Sequence, residues 1–444
     1  MVTIFLYEGS GPQPVTVQHS VFGLSPEWLL HNGVVVPDII VVSHAEQRER
    51  LRQVCPEAVP RVLVAGDICL DRLHAGRALR ATYRRAFGLT PQQHLVLVSS
   101  TWGPDSLLGA APDLPMRLAE SLPVDEFRIL VAAHPNISAG HSPWQVSAYL
   151  SEARRAGVCV PEDVDAWHAA VVAATLVIGD HGSVPFYSVA MGKPLLLATA
   201  PTHTVHPASP IAQLLTAAPQ LDLASGLEAQ VRRSIDDHNP ERYAHIVALA
   251  SSVPDTGAAI LRAAMYRAMQ LAEPISPAEL RPPPLSRHRF DEPESLMVSV
   301  ELDGDHSATV TRYPAGRMSG DRDIARGAHL VTGAESPWPS RLRFADIVLG
   351  PGGTDTGHWI SETLMDLPGC AVAAAPTHNT GGWLLGDATG TLLGVAGSDI
   401  GCRLFVSVGY QLIIQGGELC AAAGKWTITC GGRQYSVTVS VARD

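Results

Sequence analysis

The residues of this sequence that could do chemistry follow apolar runs of the kind that form buried strands. His19 follows VTVQ, His134 follows ILVAA, and His181 follows LVIGD. A neutral imidazole can move a proton at neutral pH, and hydroxyl or backbone N–H groups can hold phosphate oxygens. The other candidates at these strand ends are Ser100, Thr101, Trp102, Gly103, Asp180, Gly182 and Ser183.

The turn from Asp180 to Ser183 separates an apolar run from an amphipathic segment. Gly182 lacks a side chain, which allows the backbone to approach a ligand closely. We predict that Ser183 caps the following helix and that Pro185 lies in its first turn. The free N–H groups and the partial positive charge at the start of such a helix suit a phosphate or diphosphate. A purely structural role as turn and cap stays open for these residues.

These candidates form one site only if the fold brings the strand ends together. Residues 77–272 alternate apolar runs with amphipathic segments, which is typical of a doubly wound α/β domain. In open sheets of this type, ligands bind at the carboxyl ends of the strands. We therefore expect residues 99–103, His134 and residues 180–183 to line one crevice that holds an anion.

The chain of 444 residues is too long for one hydrophobic core, and its pattern predicts four parts. Residues 1–76 have short apolar runs around the helical segment AEQRERLRQV, as expected of a shortened Rossmann-like lobe. Residues 77–272 are predicted to form a second Rossmann-like lobe, which carries the nucleotide-binding site. Residues 273–296 are rich in Pro and charge and are predicted to be an extended linker.

Residues 297–444 are predicted to form a β-rich α+β module. Alternating apolar positions surround an Asp-Gly-Asp turn in its first run, which indicates a hairpin. The run CRLFVSVGYQLII is predicted as a strand, and the segment TGHWISETLMDL as a helix. A β-sandwich-like arrangement also fits this pattern. The module could bind a protein partner or mediate self-assembly.

The net charge of −11 and the distribution of apolar residues reduce the number of functions that we expect for this chain. An acidic chain is a poor partner for nucleic acid, so we expect no nucleic-acid binding. No apolar run reaches the ~18 residues of a membrane helix, and the start lacks the basic residues of a signal peptide, so we expect a cytoplasmic protein. The seven Cys form no C-x-x-C pair, and no metal site is predicted. A divalent ion could still accompany a diphosphate through Asp180 or Asp67.

Three motifs in a fixed order resemble a known family. The segments SSTWGP, AAHPN and VIGDHGSVPFYSVAMGKPLLLA are similar to the C-terminal half of GT-B-type enzymes of the CDP-glycerol glycerophosphotransferase group, which polymerise teichoic acids. The segment VTVQHSVFG resembles the His-containing loop of their N-terminal lobe, and VAGDICLDRL resembles a strand end of the more distant UDP-N-acetylglucosamine 2-epimerases. The resemblance covers roughly residues 15–250. It implies two Rossmann-like lobes with a nucleotide diphosphate in the cleft.

The resemblance also implies roles for individual residues. Thr101, His134, Asp180 and Ser183 would hold the diphosphate of a CDP- or UDP-linked donor, and His19 would be the general base on an acceptor hydroxyl. Two features depart from the family pattern. Only residues 1–76 precede the second lobe, so the first lobe is shortened or the start of the chain is missing. Ser20 also follows His19 where the family has Gly.

Three functions stay open at this point. The first is a transferase that moves glycerophosphate or a sugar from a nucleotide-diphosphate donor to an acceptor hydroxyl. The second is a catalytically inactive binding or scaffold protein of GT-B origin whose β module mediates assembly. The third is a nucleotide-sugar epimerase or hydrolase. The presence of His19, His134 and the turn at 180–183 favours the transferase, and the short first lobe favours the scaffold.

Overall fold

The computed structural model describes residues 4–6, 24–285, 288–316, 327–378 and 381–442. His19, the predicted base, lies outside these described residues, as does the run VTVQ.

The first lobe has a parallel three-stranded sheet in the order β1–β4–β5. Its elements are β1 (Ile4–Leu6), α1 (Pro26–Leu29), β2 (Leu30–His31), β3 (Val34–Val35), β4 (Ile39–Val42), α2 (Ala45–Val54) and β5 (Val62–Val64). Strands β2 and β3 form a hairpin whose turn residues Asn32 and Gly33 both have positive φ, as the Asn-Gly pair predicts. Ile40, Val42 and Leu51 are fully buried and form the core of this lobe with their neighbours.

The second lobe alternates strands and helices, as the sequence predicts. Its elements are α3 (Ile68–Gly76), α4 (Arg80–Ala86), β6 (His94–Ser100), α5 (Leu107–Ala110), α6 (Leu114–Ser121), β7 (Phe127–Ala133), α7 (Pro135–His141), α8 (Pro143–Tyr149), α9 (Ser151–Arg155), α10 (Ala166–Ala173), β8 (Leu176–Gly179), α11 (Ser183–Ala190), β9 (Leu195–Leu197), α12 (Pro210–Ala217), α13 (Leu227–Asp236), α14 (Ala244–Val247) and α15 (Gly257–Ala268). The last helix, α15, packs back onto the first lobe, where Leu261 lies beside Val41 and Ala65.

The sheet of the second lobe is parallel, with the strand order β7–β6–β8–β9. Parallel bridges from Leu130 to Cys159 and from Leu197 to Gln220 extend it on both sides. The strand order therefore reverses between β6 and β8, which is where doubly wound sheets bind ligands. Helices cover both faces, so residues 95–98 of β6 alternate between two cores and are all apolar.

The Pro-rich segment that follows α15 is attached to the surface of the second lobe. Its described part contains no helix or strand up to residue 294. The Tyr83 hydroxyl donates a hydrogen bond to the carbonyl of Pro283. Arg128 donates to the Glu292 carboxylate at 2.7 Å. These contacts hold the segment along the lobe.

The C-terminal module is a closed barrel of nine strands in the order β10–β11–β17–β18–β16–β15–β14–β13–β12. The elements are β10 (Ser295–Gly304), β11 (Ser307–Pro314), β12 (His329–Gly333), α16 (Pro339–Arg343), β13 (Ile347–Leu349), α17 (Thr356–Asp366), β14 (Val372–Pro376), β15 (Trp383–Asp387), β16 (Leu392–Gly397), α18 (Asp399–Ile414), β17 (Gly424–Cys430) and β18 (Arg433–Val441). The sheet closes because β10 pairs with both β11 and β12. The β-rich prediction is confirmed, and a sandwich-like arrangement is wrong.

Helix α18 is the largest departure from the sequence prediction, which made its residues a strand. It contacts strands β10, β11 and β13 to β18, and Leu404, Phe405 and Val408 are buried among them. A helix with apolar neighbours on most sides has no polar face. Its sequence is therefore an apolar run that lacks the 3.6-residue alternation of an amphipathic helix. The Ser398 hydroxyl caps its first turn by accepting from the N–H of Gly401 at 3.2 Å. Among the described helices, none combines the length and the apolar composition needed to cross a membrane.

A buried ion pair joins the barrel to the second lobe. Arg312 of β11 donates to both carboxylate oxygens of Asp125, at 2.6 and 2.8 Å, and the Cys430 thiol donates to the same carboxylate at 3.1 Å. Burial would raise the pKa of Asp125, but the ion pair with Arg312 outweighs burial and the pKa is lowered. The backbone also connects the two units, since the N–H of Val124 donates to the carbonyl of Arg312.

The side chain of His329 is buried in the barrel. It is 1% exposed, its ring lies 4.5 Å from that of Tyr410, and neither ring nitrogen has a hydrogen-bond partner among the described residues. Burial lowers the pKa of His329 to about 4. The imidazole is therefore neutral in the folded protein at neutral pH, and the barrel does not solvate a charge there.

We predict that acid destabilises the barrel through His329. The unfolded chain binds a proton near the ordinary His pKa, and the folded protein binds it only near pH 4. The free energy of unfolding should therefore fall by about 2.5 kcal/mol from this group between about pH 7.5 and pH 4.5. His329→Phe should remove that part of the pH dependence in urea unfolding followed by tryptophan fluorescence. His358→Phe on the exposed side of α17 is the matched control, and equal pH slopes in the two variants would contradict the prediction.

Candidate functional site

The carboxylate of Asp180 joins the loop after β6 to the turn after β8. One oxygen accepts from the N–H and the hydroxyl of Thr101, at 2.8 and 2.9 Å, and from the N–H of Leu107 at 2.9 Å. The other oxygen accepts from the N–H of Gly182 at 3.1 Å. Asp180 is only 1% exposed, so protein donors satisfy a carboxylate that is shielded from solvent. Its role in this structure is to hold the two loops together.

Ser100, Thr101 and Gly182 form the buried framework around this carboxylate. The Ser100 hydroxyl donates to the carbonyl of Thr101 at 2.9 Å and accepts from the N–H of Leu108 at 3.0 Å. A Cβ atom at Gly182 would lie 2.8 Å from the Thr101 methyl group. The missing side chain of Gly182 therefore gives room to the Thr101 methyl group, and its predicted role in the approach of a ligand stays a prediction.

The N-terminus of α11 lies at this junction without a capping side chain. Gly182 occupies the N-cap and Ser183 is the first helical residue, so the prediction that Ser183 caps the helix is wrong by one position. Pro185 lies in the first turn, as predicted. The N–H groups of Ser183 and Val184 meet no side-chain acceptor from the cap, and both residues are partly exposed. They are free to donate to an anion.

His134 and Trp102 form a pair at the next strand end. Their ring centroids are 4.2 Å apart, and both residues are half-buried. His134 Nδ1 accepts from the N–H of Asn136 at 3.0 Å, so the proton of the neutral ring is assigned to Nε2. Burial lowers the pKa of His134, and the charge of Asp180 opposes this shift only in part. The imidazole is thus a neutral donor beside the loop.

His181 is buried between the two loops. It is 1% exposed, its Nε2 lies 3.5 Å from the Thr101 hydroxyl, and its Nδ1 meets no hydrogen-bond partner in the described part of the chain. Burial lowers the pKa of His181 despite the nearby charges of Asp180 and Asp105. A buried ring nitrogen without a partner is rare in folded proteins, and a ligand group or an ordered water would satisfy it.

Three residues near this site, Asp105, Thr199 and His203, were missed from the sequence. His203 Nε2 lies 3.6 Å from the Asp105 carboxylate, and the charges of both residues act on His181. Their side chains are 67% and 46% exposed. The Thr199 hydroxyl fixes this loop by donating to the carbonyl of Asp105 at 3.0 Å. Thr199 and His203 follow the apolar run KPLLLA, so the polar residues after this run are the signal that would have identified them.

The structure therefore brings together every predicted site residue that it describes. The buried members are Ser100, Thr101, Asp180, His181 and Gly182, and the partly or fully exposed members are Trp102, Gly103, His134 and Ser183. No group of three or more His, Cys, Asp or Glu among the described residues could hold a metal ion. Asp67 accepts from the Leu70 N–H and from the Tyr187 hydroxyl, both at 2.9 Å. The carboxylates of Asp67 and Asp180 thus both accept hydrogen bonds from protein donors. This arrangement does not support a divalent ion bound to either carboxylate.

No family model matches the chain, and no curated protein matches it. Among solved structures, the wall teichoic acid polymerase TagF is similar at 15% identity and a TM-score of 0.40, over 53% of this chain and 58% of TagF. UDP-GlcNAc 2-epimerase from Neisseria meningitidis is similar at 13% identity and a TM-score of 0.33, over 52% and 61% of the two chains. WaaG, a glycosyltransferase involved in lipopolysaccharide biosynthesis, is similar at 17% identity and a TM-score of 0.31, over 55% and 68%. Proteins of the kinds that the sequence motifs resemble are thus among its structural neighbours. A likeness this distant carries no information on activity or substrate.

We predict that Asp180 variants lose stability and not only ligand affinity. Asp180→Ala would leave four donors without an acceptor in a buried region. The free energy of unfolding should fall by about 3 kcal/mol, measured by urea denaturation. Thr101→Val removes only one of the four hydrogen bonds and should cost about 1 kcal/mol. If Asp180→Ala is as stable as the wild type, the hydrogen bonds of the Asp180 carboxylate do not stabilise the fold.

Proposed function

We propose that this chain binds a nucleotide-diphosphate donor at the carboxyl ends of β6 and β8 and transfers part of that donor to an acceptor hydroxyl. The observation that carries the proposal is the position of the uncapped N-terminus of α11. It lies at the point where the strand order reverses, and the charge of Asp180, two residues before its N-cap, acts on His134 of the His134 and Trp102 pair. The N–H groups at the start of α11 and the His134 imidazole can donate hydrogen bonds, and the Trp102 ring is a flat surface. Sites that hold a diphosphate have groups of this kind.

Neutral donors would bind the diphosphate in this arrangement. The N–H groups of Ser183 and Val184 and the Nε2–H of His134 belong to partly exposed residues, and we expect each to donate to a phosphate oxygen. Gly103 has a φ of +89° and no atom near its missing Cβ, which leaves space on the loop side of the site. The helix dipole adds a partial positive charge at Ser183. We therefore expect directional hydrogen bonds, more than net charge, to determine donor affinity.

The transfer step needs a base and a leaving group. With a CDP-glycerol donor, the acceptor oxygen attacks the phosphorus that carries glycerol, CMP leaves with the bridging oxygen, and the base takes the acceptor proton. With a UDP-sugar donor, the acceptor oxygen attacks the anomeric carbon, and UDP leaves. We propose His19 as the base. Among the described residues, His203 is an exposed imidazole near the site and a further candidate for the base, and Asp105 can orient it at 3.6 Å.

Donor binding is tested by removing a single backbone N–H. Ser183→Pro deletes the N–H at the first helical position, where proline is well tolerated, and Gly182 already has an extended conformation that can precede proline. Ser183→Ala keeps the N–H and is the matched control. We expect CDP or UDP to raise the Tm of the wild type and of Ser183→Ala. The affinity of Ser183→Pro should be at least about tenfold weaker, since a hydrogen bond to a charged group contributes about 1.5–3 kcal/mol. No thermal shift with any nucleotide at millimolar concentration would overturn the proposal and favour a scaffold role.

The assignment of the base is tested by turnover with an unchanged donor site. His19→Ala should lower CMP release from CDP-glycerol, or UDP release from a UDP-sugar, by about 100-fold or more. The nucleotide Kd, measured by calorimetry, should stay nearly unchanged. His203→Ala is examined in parallel. A large loss in His203→Ala with none in His19→Ala would move the base role to His203.

A further inference from the structure

Four cationic side chains lie at the edge of the second lobe that is opposite to the candidate site. Three consecutive carbonyls at the end of α10, those of residues 172 to 174, each accept a hydrogen bond from one of them. The donors are Lys193 at 3.2 Å, Arg84 at 3.3 Å and Arg80 at 3.3 Å. Arg77 donates to the carbonyl of Ala190, the last residue of α11, at 2.9 Å. We name Arg77, Arg80, Arg84 and Lys193 the basic cluster.

Within the described part of the chain, no ion pair with a carboxylate balances the charge of the basic cluster. The charges that act on Lys193 come from Arg80, Arg84 and Arg77, and no carboxylate among the described residues forms an ion pair with these three guanidinium groups. Two helix C-termini contribute only about half a negative charge each, against four cations. Burial and the three guanidinium groups lower the pKa of Lys193 to about 7. The cluster therefore has a surplus of positive charge.

Several donors of the cluster remain unused. Arg77 is exposed, and Arg80 and Lys193 are partly exposed, so solvent reaches all three. A guanidinium carries five N–H groups, and Arg77 and Arg80 each donate one hydrogen bond within the described protein. Arg84 is buried and donates to three carbonyls. It therefore adds positive charge to the cluster, and we expect it to make no direct contact with a ligand.

The choice of lysine at this position is unusual for this chain. Of its 32 Lys and Arg residues, only Lys193 and Lys425 are lysines. Arginine stays charged at all physiological pH values, whereas an amine can release its proton when cations surround it. A lysine among three arginines therefore makes the charge of the cluster depend on what is bound there.

We propose that Arg77, Arg80 and Lys193 bind a small oxyanion of the phosphate class, at a site separate from the proposed donor site. A phosphate oxygen accepts charge-assisted hydrogen bonds from guanidinium groups and from an ammonium group, and the anion neutralises the surplus charge. Binding favours the protonated amine, so the protein takes up a proton with the anion. The affinity for the anion should therefore fall as the pH rises through 7. Two imidazoles lie next to the cluster: His74, which faces Arg77 and lies 3.8 Å from Asp255, and His238, whose Nε2 lies 2.8 Å from the carbonyl of Gly192, the residue before Lys193.

The two lysines make a direct test possible. Reductive methylation with ¹³C-formaldehyde labels Lys193, Lys425 and the terminal amine, and NMR titration gives the pKa of each. We expect millimolar inorganic phosphate to raise the pKa of Lys193 by about one unit or more, which corresponds to about tenfold tighter binding to the protonated form. Lys425 is exposed and is the internal control. Arg77→Gln should remove most of the phosphate effect while Arg80 and Arg84 still cap α10.

Two further variants separate this proposal from the donor site. Ser183→Pro should leave the phosphate effect on Lys193 intact, because the two sites lie at opposite ends of α11. Methyl phosphate in place of inorganic phosphate shows whether the site also takes the phosphoryl group of a monoester. An unchanged Lys193 titration in phosphate, or an equal shift in Arg77→Gln, would overturn the oxyanion site and leave the donor proposal untouched.

Discussion

The arrangement of the candidate site depends on the buried carboxylate of Asp180. It accepts from the N–H of Leu107, the first residue of α5, and from the N–H of Gly182, the N-cap of α11, so one side chain serves the N-termini of two helices. A negative charge at this position is stabilised by both helix dipoles. The same charge offsets the positive potential that an anion would meet at Ser183. This is the physical reason to expect that individual N–H donors, rather than a strong field, would hold a diphosphate there.

The sequence predicted the convergence of the site correctly, and it predicted some roles incorrectly. Parallel strands that are apolar throughout identify a doubly wound sheet, and polar residues at their ends mark the edge where loops meet, so Thr101, His134 and His181 could be found. In a sequence, an aspartate that accepts hydrogen bonds from its own protein looks the same as one that binds a ligand. The role of Asp180 in holding the two loops together could therefore not be predicted. The start of α11 was misplaced by one residue because Gly182 and Ser183 are both common at helix starts. His203 follows β9, a strand of three residues, and was therefore overlooked.

The C-terminal module was less predictable because long-range pairing determines its form. Hairpins could be predicted from alternation and turn residues, but closure depends on β10 pairing with β12, about 30 residues later in the chain. Once the barrel closes, its interior needs filling, and α18 supplies Phe405 and its apolar neighbours. A segment buried on most sides has neither a strand period nor a helix period, which is why its prediction as a strand failed. The ion pair of Arg312 with Asp125 joins residues 187 positions apart and had no local signal.

Helix α11 connects the two proposed anion sites, and its length decides whether they influence each other. It has eight residues, so its ends are about 12 Å apart. This separation exceeds the Debye length of about 8 Å at physiological ionic strength. An anion at the basic cluster would weaken the contact of Arg77 with the negative end of the helix dipole, an effect of about 0.3–1 kcal/mol at most. The distance of about 12 Å to Ser183 reduces it further there. The proton-linked site at Lys193 should therefore change its own occupancy with pH and leave donor binding at the other end of α11 nearly constant.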